Sequence, residues 1–544
     1  MRSRLVPFLA LACLVCVPAV RADDAKAPKK TAPALIVRIR SLDSILGDVG
    51  YLAAQVGKEE EAKQGIEMLK ERIGSKGLEG IDTKKPMGGY VFAGPNGTDS
   101  YGAFMLPIKD EKAVLDVLAN AGFKAEGNKD GLYTIKDARV KVPIFFRFAN
   151  GYAYIAPLSE LGLAKAKLLA PADVLPEKET ALLSATIRVD QIPDTIKEVG
   201  LGQLGLRLAD IREQHADKGT PAQKELIDKS AREANAQIKS IVNDGRELTI
   251  RLDVDQKKND LALSFSFDGK PGTKLASEIA DLAKRQSLFA ALAGKDSAIS
   301  LLLSYAFPER VQKAMGPAVD DAIKSIVEKA QDDTHKQIAE KLLRVLAPSI
   351  KAGEIDAAFD LRGPSSNKHY TLVGGIKLKN GAEVEKTLKE IITGLPEQVR
   401  DLVKFDADKA GETAIHKLDF DHFMDDNART ILGNGAVYVA LRANAIYFGA
   451  GENGLDAIKG AINAKPGTAA VLQWNLSLAK LASLMIKEQP GAAKAAAEAF
   501  GKNAGQDKIQ FSVTGGSALK AEIRAKTAVL KFFALIAEEK INAQ

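Results

Sequence analysis

Apolar and polar residues alternate along many segments of the chain. In the segment LALSFSF at 261–267, large apolar residues occupy every odd position and Ala or Ser every even position. Successive side chains of a β-strand point to opposite faces, so this pattern predicts a strand with one covered face. Strands of parallel sheets are covered on both faces and are apolar throughout. The alternation therefore predicts antiparallel sheets.

Other segments carry apolar residues three or four positions apart, which is typical of helices. Two long helices are predicted at 221–242 and 319–346. The first begins with Thr220 as its N-cap and Pro221 at its first position. In the second, charged residues and Thr334 interrupt the apolar stripe midway. Strands and helices together predict an α+β fold in which helices pack on one face of an antiparallel sheet.

The same order of predicted elements occurs twice. Each half opens with an apolar strand that leads into a helix, and each has a hairpin whose tip is Gly-Pro, at 94–95 and 363–364. The predicted strands NGYAYIA at 150–156 and NAIYFGA at 444–450 are closely similar in sequence. We therefore predict an internal duplication of two similar lobes.

The predicted organisation has four parts, whose boundaries follow from these patterns. They are a signal peptide at 1–22, a flexible leader at 23–33, a first α+β lobe at 34–293 and a second at 296–544.

The first 22 residues have the three-part pattern of a secretory signal peptide. Arg2 and Arg4 precede an apolar run at 5–17 that is too short to cross a bilayer of ~30 Å as a helix. Small residues at the −3 and −1 positions place the cleavage between Ala22 and Asp23. The sequence therefore predicts an exported protein of the periplasm, the cell envelope or the medium.

A lipoprotein signal is the main alternative to a cleaved signal peptide. The tetrapeptide ending at Cys13, ALAC, resembles a lipobox, and it predicts a lipid anchor at that cysteine. Ala replaces the usual Leu, and the apolar run continues beyond Cys13, so we favour cleavage at Ala22. A buried N-terminal helix is the remaining alternative.

Composition excludes several classes of chemistry. The two cysteines, Cys13 and Cys16, lie in the signal, so the mature chain has no disulfide, thiolate metal site or cysteine nucleophile. The signal also holds three of the 76 basic residues, which leaves 73 against 70 acidic residues. This near-neutral balance argues against nucleic acid as a partner. No later apolar run is long enough for a transmembrane helix.

No motif for a cofactor or a known catalytic device occurs. The chain lacks the phosphate-binding pattern GxxxxGK[ST], a GxGxxG turn between strand and helix, the nucleophile elbow GxSxG and the zinc-binding HExxH. The segment GKPGTK at 269–274 is interpreted as a plain turn, because its proline removes a backbone donor. We expect no cofactor.

One cluster has the residue types of a metal site, namely His416, Asp419, Asp421 and His422. Imidazole and carboxylate groups are common ligands of divalent ions. The two histidines are six residues apart, roughly 20 Å along an extended strand, so they cannot share one ion unless the chain bends. The matching segment of the first lobe, 134–137, has no histidine. We therefore predict no metal site here.

The layout resembles large exported bacterial proteins of unknown function. The resemblance rests on the signal, on the opening strand at 35–39 with the helix that contains Leu42, Ile45 and Leu46, and on the repeated antiparallel hairpins with helices. It is architectural, covers most of the chain and implies no catalytic residues.

Three hypotheses for function follow. The first is an exported, non-catalytic binding or scaffold protein whose ligand or envelope protein partner is unidentified. The second is a carrier of an apolar ligand such as a lipid, held in clefts of the two lobes. The third is a hydrolase that uses carboxylates, for which activity lost in Asp421→Ala would be the signature.

We predict that N-terminal sequencing of the exported protein begins at Asp23, because the cleavage pattern ends at Ala22. A lipidated N-terminus at Cys13, or an intact Met1, would contradict the predicted cleavage.

Overall fold

The computed structural model describes most of the chain from residue 32 onward. The described ranges are 32–73, 80–97, 99–140, 142–176, 180–216, 220–292, 294, 297–330, 332–421, 424–433, 435–485, 489–501 and 505–543. The predicted cleavage site at Ala22 and Asp23, and the candidate ligand His422, lie outside the described residues.

The chain forms two compact units. The first contains the described residues of 32–202 and 241–275, and the second contains 203–240 and those from 276 onward. These units differ from the predicted lobes mainly in the segment 203–240, which comes from the first half of the sequence. Arg310 pairs with Glu233 of this segment at 3.7 Å, within the second unit.

The sheet of the first unit is antiparallel throughout its described strands. Their order across the sheet is β4-β5-β6-β7-β3-β2-β1-β8-β9-β10. The interior strand β1 places Val37 opposite Gly89 of β2 on one side and Ala185 of β8 on the other. The strands are β1 Leu35–Ile39, β2 Met87–Phe92, β3 Tyr101–Pro107, β4 Ala125–Gly127, β5 Leu132–Ile135, β6 Ile144–Ala149, β7 Tyr152–Pro157, β8 Leu183–Arg188, β9 Gly245–Asp255 and β10 Asp260–Gly269.

Helices connect these strands in the chain. A pair of helices follows β1, and a longer pair follows β8. The helices are α1 Leu42–Gln55, α2 Glu59–Ile73, α3 Glu111–Asn120, α4 Pro171–Val174, α5 Asp194–Ala216 and α6 Pro221–Asp244. The predicted cap of α6 is confirmed, because the Thr220 hydroxyl accepts the Gln223 amide at 3.3 Å and the Gln223 side chain accepts the Thr220 amide at 3.0 Å.

The sheet of the second unit is also antiparallel throughout its described strands. Its order is β15-β16-β17-β18-β14-β13-β12-β20-β21-β22, and β11 pairs separately with β19. The strands are β11 Gln286–Ser287, β12 Ile299–Ala306, β13 Glu354–Arg362, β14 Thr371–Lys377, β15 Val403–Ala410, β16 Thr413–Asp419, β17 Ala436–Arg442, β18 Ala445–Ala450, β19 Gly467–Thr468, β20 Leu472–Ser477, β21 Lys508–Thr514 and β22 Leu519–Lys526.

Ten further helices follow along the chain, from the end of the first unit through the second. They are α7 Lys274–Leu282, α8 Glu309–Glu328, α9 Asp333–Lys351, α10 Gly381–Thr393, α11 Glu397–Arg400, α12 Asp426–Leu432, α13 Gly454–Asn463, α14 Leu478–Leu481, α15 Ala492–Phe500 and α16 Ala528–Ala543. Across the described part of the chain, no helix is both long enough and apolar enough to span a membrane.

The predicted long helix at 319–346 is wrong as a single element. The structure has two helices, α8 and α9, separated at 329–332. The side chain of Asp332 caps α9 by accepting the His335 amide at 2.9 Å. A new helix therefore starts after Asp332, among the polar residues that interrupt the apolar stripe.

The α+β class is confirmed, but the prediction that helices pack on one face needs correction. In β17, Val439 and Leu441 pack with Val345 of α9 and Leu388 of α10. The intervening Ala440 packs on the opposite face with Ile458 of α13. The segment AVYVALR of β17 is apolar at nearly every position, which suits burial on both faces.

We predict that Ile415→Ala lowers the free energy of unfolding of the second unit by about 2–5 kcal/mol, because Ile415 is fully buried in its core. The matched control Ile376→Ala, at a side chain that is 49% exposed in β14, changes it by less than about 1 kcal/mol. Denaturant unfolding followed by fluorescence measures both, since Trp474 is the only tryptophan and lies in β20. Equal losses in the two variants would contradict this assignment of the core.

Candidate functional site

A buried histidine in β16 is the centre of the candidate site. His416 is 5% exposed and pairs with Val439 of β17 in the antiparallel ladder. Its neighbour Ile415 belongs to the core on the α13 side. Because alternate strand residues face opposite ways, His416 faces the other side, where α10 packs.

Both ring nitrogens of His416 lie near carboxylate residues. Nδ1 accepts the backbone N–H of Asp406 at 3.1 Å and lies 3.7 Å from Oδ1 of the same residue. Nε2 lies 3.2 Å from Oε1 of Glu385. These two atoms are not aligned for a hydrogen bond, and Nε2 is buried without a hydrogen-bond partner.

An irregularity in the β15–β16 hairpin brings Asp406 to the histidine. The register between these strands shifts between Lys404 and Asp408, and Asp406 has a φ of 51°. Such bulges change the direction in which a side chain points. Glu385 reaches the same place from α10, which packs over β17.

A lysine ammonium joins the two carboxylates. Lys389 Nζ lies 2.8 Å from Glu385 Oε1 and 3.4 Å from Asp406 Oδ1, and 5.7 Å from the ring centroid of Phe405. The hydrogen bond to Glu385 raises the pKa of Lys389 above its ordinary value. Lys389 therefore carries a positive charge between two negative groups.

The cluster borders an open depression on the surface of α10. Its volume is about 740 Å³, and Glu385 and Lys389 belong to its lining. Among the described residues, its lining is Ala382, Glu385, Lys386, Lys389, Glu390, Thr393 and Gly394. Solvent and small solutes therefore reach the polar edge of the cluster.

The structure separates His416 from the aspartates proposed with it from the sequence. Asp419 ends β16, where its carboxylate accepts the Asp421 amide at 3.2 Å. Asp421 in turn accepts the Gly435 amide at 2.6 Å. Both carboxylates thus accept backbone hydrogen bonds that fix the chain at the end of β16. Among the residues that the structure describes, the grouped candidates for metal ligands are Glu385, Asp406 and His416.

Sequence reasoning singled out His416 and missed its two carboxylate neighbours. Glu385 is 31 positions away, and Asp406 reaches the ring only through the strand irregularity. The available signal was the histidine itself, which directly follows Ile415 in a predicted strand.

Two other histidines, His335 and His369, are less buried than His416. His335 lies on the surface of α9, 2.8 Å from Asp332. The partly exposed His369 lies 3.5 Å from Glu452. Each has one carboxylate neighbour among its ion pairs, so each provides a comparison for the His416 cluster.

Comparison with known proteins gives no relative. No protein-family model, curated protein or solved structure matches the chain.

We predict that the neutral ring of His416 carries its proton on Nε2, because Nδ1 accepts the Asp406 amide. Long-range ¹H–¹⁵N correlation spectra of protein labelled at its five histidines measure the tautomer. The His416→Asn variant assigns the signal. A neutral His416 protonated at Nδ1 would contradict the geometry of the cluster.

Proposed function

We propose that the chain is an exported, non-catalytic binding protein built from two copies of one α+β unit. In this proposal, a protein of the cell envelope binds to helices α8 and α9 of the second unit. The proposed copies are the segments 34–293 and 296–544, following the signal peptide.

The strand orders of the two sheets support the duplication. In the first unit the first strand of the chain, β1, lies between β2 and β8, and in the second β12 lies between β13 and β20. Outward from these strands, the remaining strands follow in corresponding chain order. Two helices follow β1 and two follow β12 before the next strand of each sheet. An ancestral unit copied once would account for these correspondences.

The observation that carries the binding proposal is the exposed apolar surface of α8 and α9. These helices contain 20 and 19 residues, yet their buried residues are Val311, Ala314 and Ala318 in α8 and Ala347 in α9. Ile326 and Ile350 on the same helices are 51% and 47% exposed. Helices with apolar stripes that their own protein leaves uncovered are typical of protein interfaces.

A groove between α8 and α9 has the shape and chemistry to bind a helix. Its volume is about 590 Å³, and Ile323, Val327 and Ala347 are its apolar lining residues. Charged residues also line it, but they are paired with each other, with Lys351 2.6 Å from Asp320 and Arg344 2.6 Å from Glu340. We infer that the partner contributes an amphipathic helix whose apolar side lies along the groove.

The two alternatives have less support. A carrier of a lipid requires an enclosed apolar cavity. The depressions on α10 and between α8 and α9 are instead open, and charged residues line both. A carboxylate hydrolase requires two free carboxyl groups, whereas Lys389 joins Glu385 to Asp406. An activity screen remains the direct test of the second alternative.

Site-specific photo-crosslinking tests the proposed interface in the exporting cell. A photoreactive residue at Ile326 or Ile350 is expected to form a covalent adduct with an envelope protein. The matched control places the same residue at Lys313, which is exposed on α8. With the purified partner, Val327→Lys is expected to weaken binding at least about tenfold, because Val327 lines the groove and the partner would bury an unpaired charge there.

Three results would contradict the proposed function. The first is adducts at Ile326 and Ile350 that do not exceed those at Lys313. The second is adducts formed only with a second copy of this chain. The third is hydrolytic turnover by the purified protein that is abolished in Asp421→Ala or Glu385→Gln.

A further inference from the structure

The cluster around His416 has the donor set of a cation site, and this inference is independent of the proposed partner. We propose that Glu385, Asp406 and His416 bind one divalent transition-metal ion of the zinc class. Lys389 is the cation that the metal ion displaces.

The spacing of the donor atoms suits such an ion. Zinc lies about 2.0–2.2 Å from nitrogen and oxygen ligands, so two ligands of a tetrahedral site are about 3.3 Å apart. Nε2 of His416 and Oε1 of Glu385 are 3.2 Å apart. One ligand atom from each of the three residues lies within 4.8 Å of the others.

The buried ring nitrogen is an independent observation that points to a ligand. Nearly all buried polar atoms in folded proteins have a hydrogen-bond partner. Nε2 has none, although the residue is 5% exposed and this atom is the one nearest Glu385. The nearby carboxylate oxygen is misaligned for a hydrogen bond, whereas metal coordination does not require the N–H direction to point at that oxygen.

Lys389 shows that the site already attracts positive charge. Its ammonium group lies between Glu385 and Asp406, and its side chain is 33% exposed. The flexible side chain has room to move into the depression on α10, which Lys389 itself lines. A divalent ion would replace one positive charge with two between the same carboxylates.

Binding at Nε2 has a defined proton balance. The neutral ring carries its proton on Nε2, since Nδ1 accepts the Asp406 amide. A metal ion at Nε2 displaces that proton to Nδ1, and the bond from the Asp406 amide is broken. Oδ1 of Asp406 lies 3.7 Å from Nδ1 and would accept the relocated proton, while the other carboxylate oxygen of Asp406 would bind the ion. Metal binding should therefore reverse the tautomer of the neutral His416 ring, with no net release of a proton from the ring.

The donor set also selects the class of ion. One imidazole nitrogen with two carboxylates suits zinc or manganese. Calcium requires six to eight oxygen ligands, and magnesium prefers octahedral oxygen coordination. The open depression beside Glu385 leaves room for water at the remaining positions of the ion.

Zinc titration of the mature chain, 23–544, tests the proposal by calorimetry and by equilibrium dialysis with metal analysis. We expect one ion per chain, with Glu385→Gln and His416→Asn each weakening binding at least about tenfold. Lys389→Met should tighten binding by several-fold to about tenfold, because it removes the competing ammonium group. The control His335→Ala, at an exposed histidine with one carboxylate neighbour, should leave binding unchanged.

Several outcomes would overturn the site. The first is that neither the parent chain nor Lys389→Met binds zinc more tightly than about 100 µM. The second is that zinc binding survives in Glu385→Gln and His416→Asn. The third is that zinc binding is lost in His335→Ala. Trp474 fluorescence confirms that each variant is folded. If His416→Asn does not fold, the variants Glu385→Gln and Lys389→Met still test the site, because both side chains are partly exposed.

Discussion

The two-residue period of the strands in the second unit determines both its core and its polar cluster. In β16 the period turns Ile415 into the core beneath α13 and turns His416 toward α10. A shift of one residue in the pairing of this strand would exchange the two faces, burying the imidazole in the core and moving Ile415 toward Glu385. The antiparallel register with β17 is therefore the constraint on which the cluster depends.

The helices differ in how many of their residues are buried. α13 has five buried residues among ten, including Ile458 and Ile462, and packs on the sheet. α6 has none among its 24 residues, and Ile227 on it is 40% exposed. A helix kept for packing alone would bury its apolar side, and the exposed apolar residues of α8 and α9 are the ones at which we propose that a partner binds.

Much of the fold is predictable from local patterns, because strand alternation and turn residues act over short distances. The hairpin β9–β10, the Thr220 cap and the bounds of α2 follow from neighbouring residues. The packing of helices on both faces of the sheet is not predictable in this way, since Ala and Gly in strands suit either an exposed or a closely packed face. The partners of His416 depend on a strand irregularity and on a helix 31 residues away, which residue spacing does not reveal.

Hydrogen–deuterium exchange of the chain, with and without the envelope protein captured at Ile326, tests the binding surface most directly. We expect that exchange slows within 309–351, which contains α8 and α9. Exchange in α13, Gly454–Asn463, should stay unchanged, because that helix is already packed on the sheet. Slowed exchange confined to α13 or to the strands of the first unit, with none in 309–351, would contradict the account.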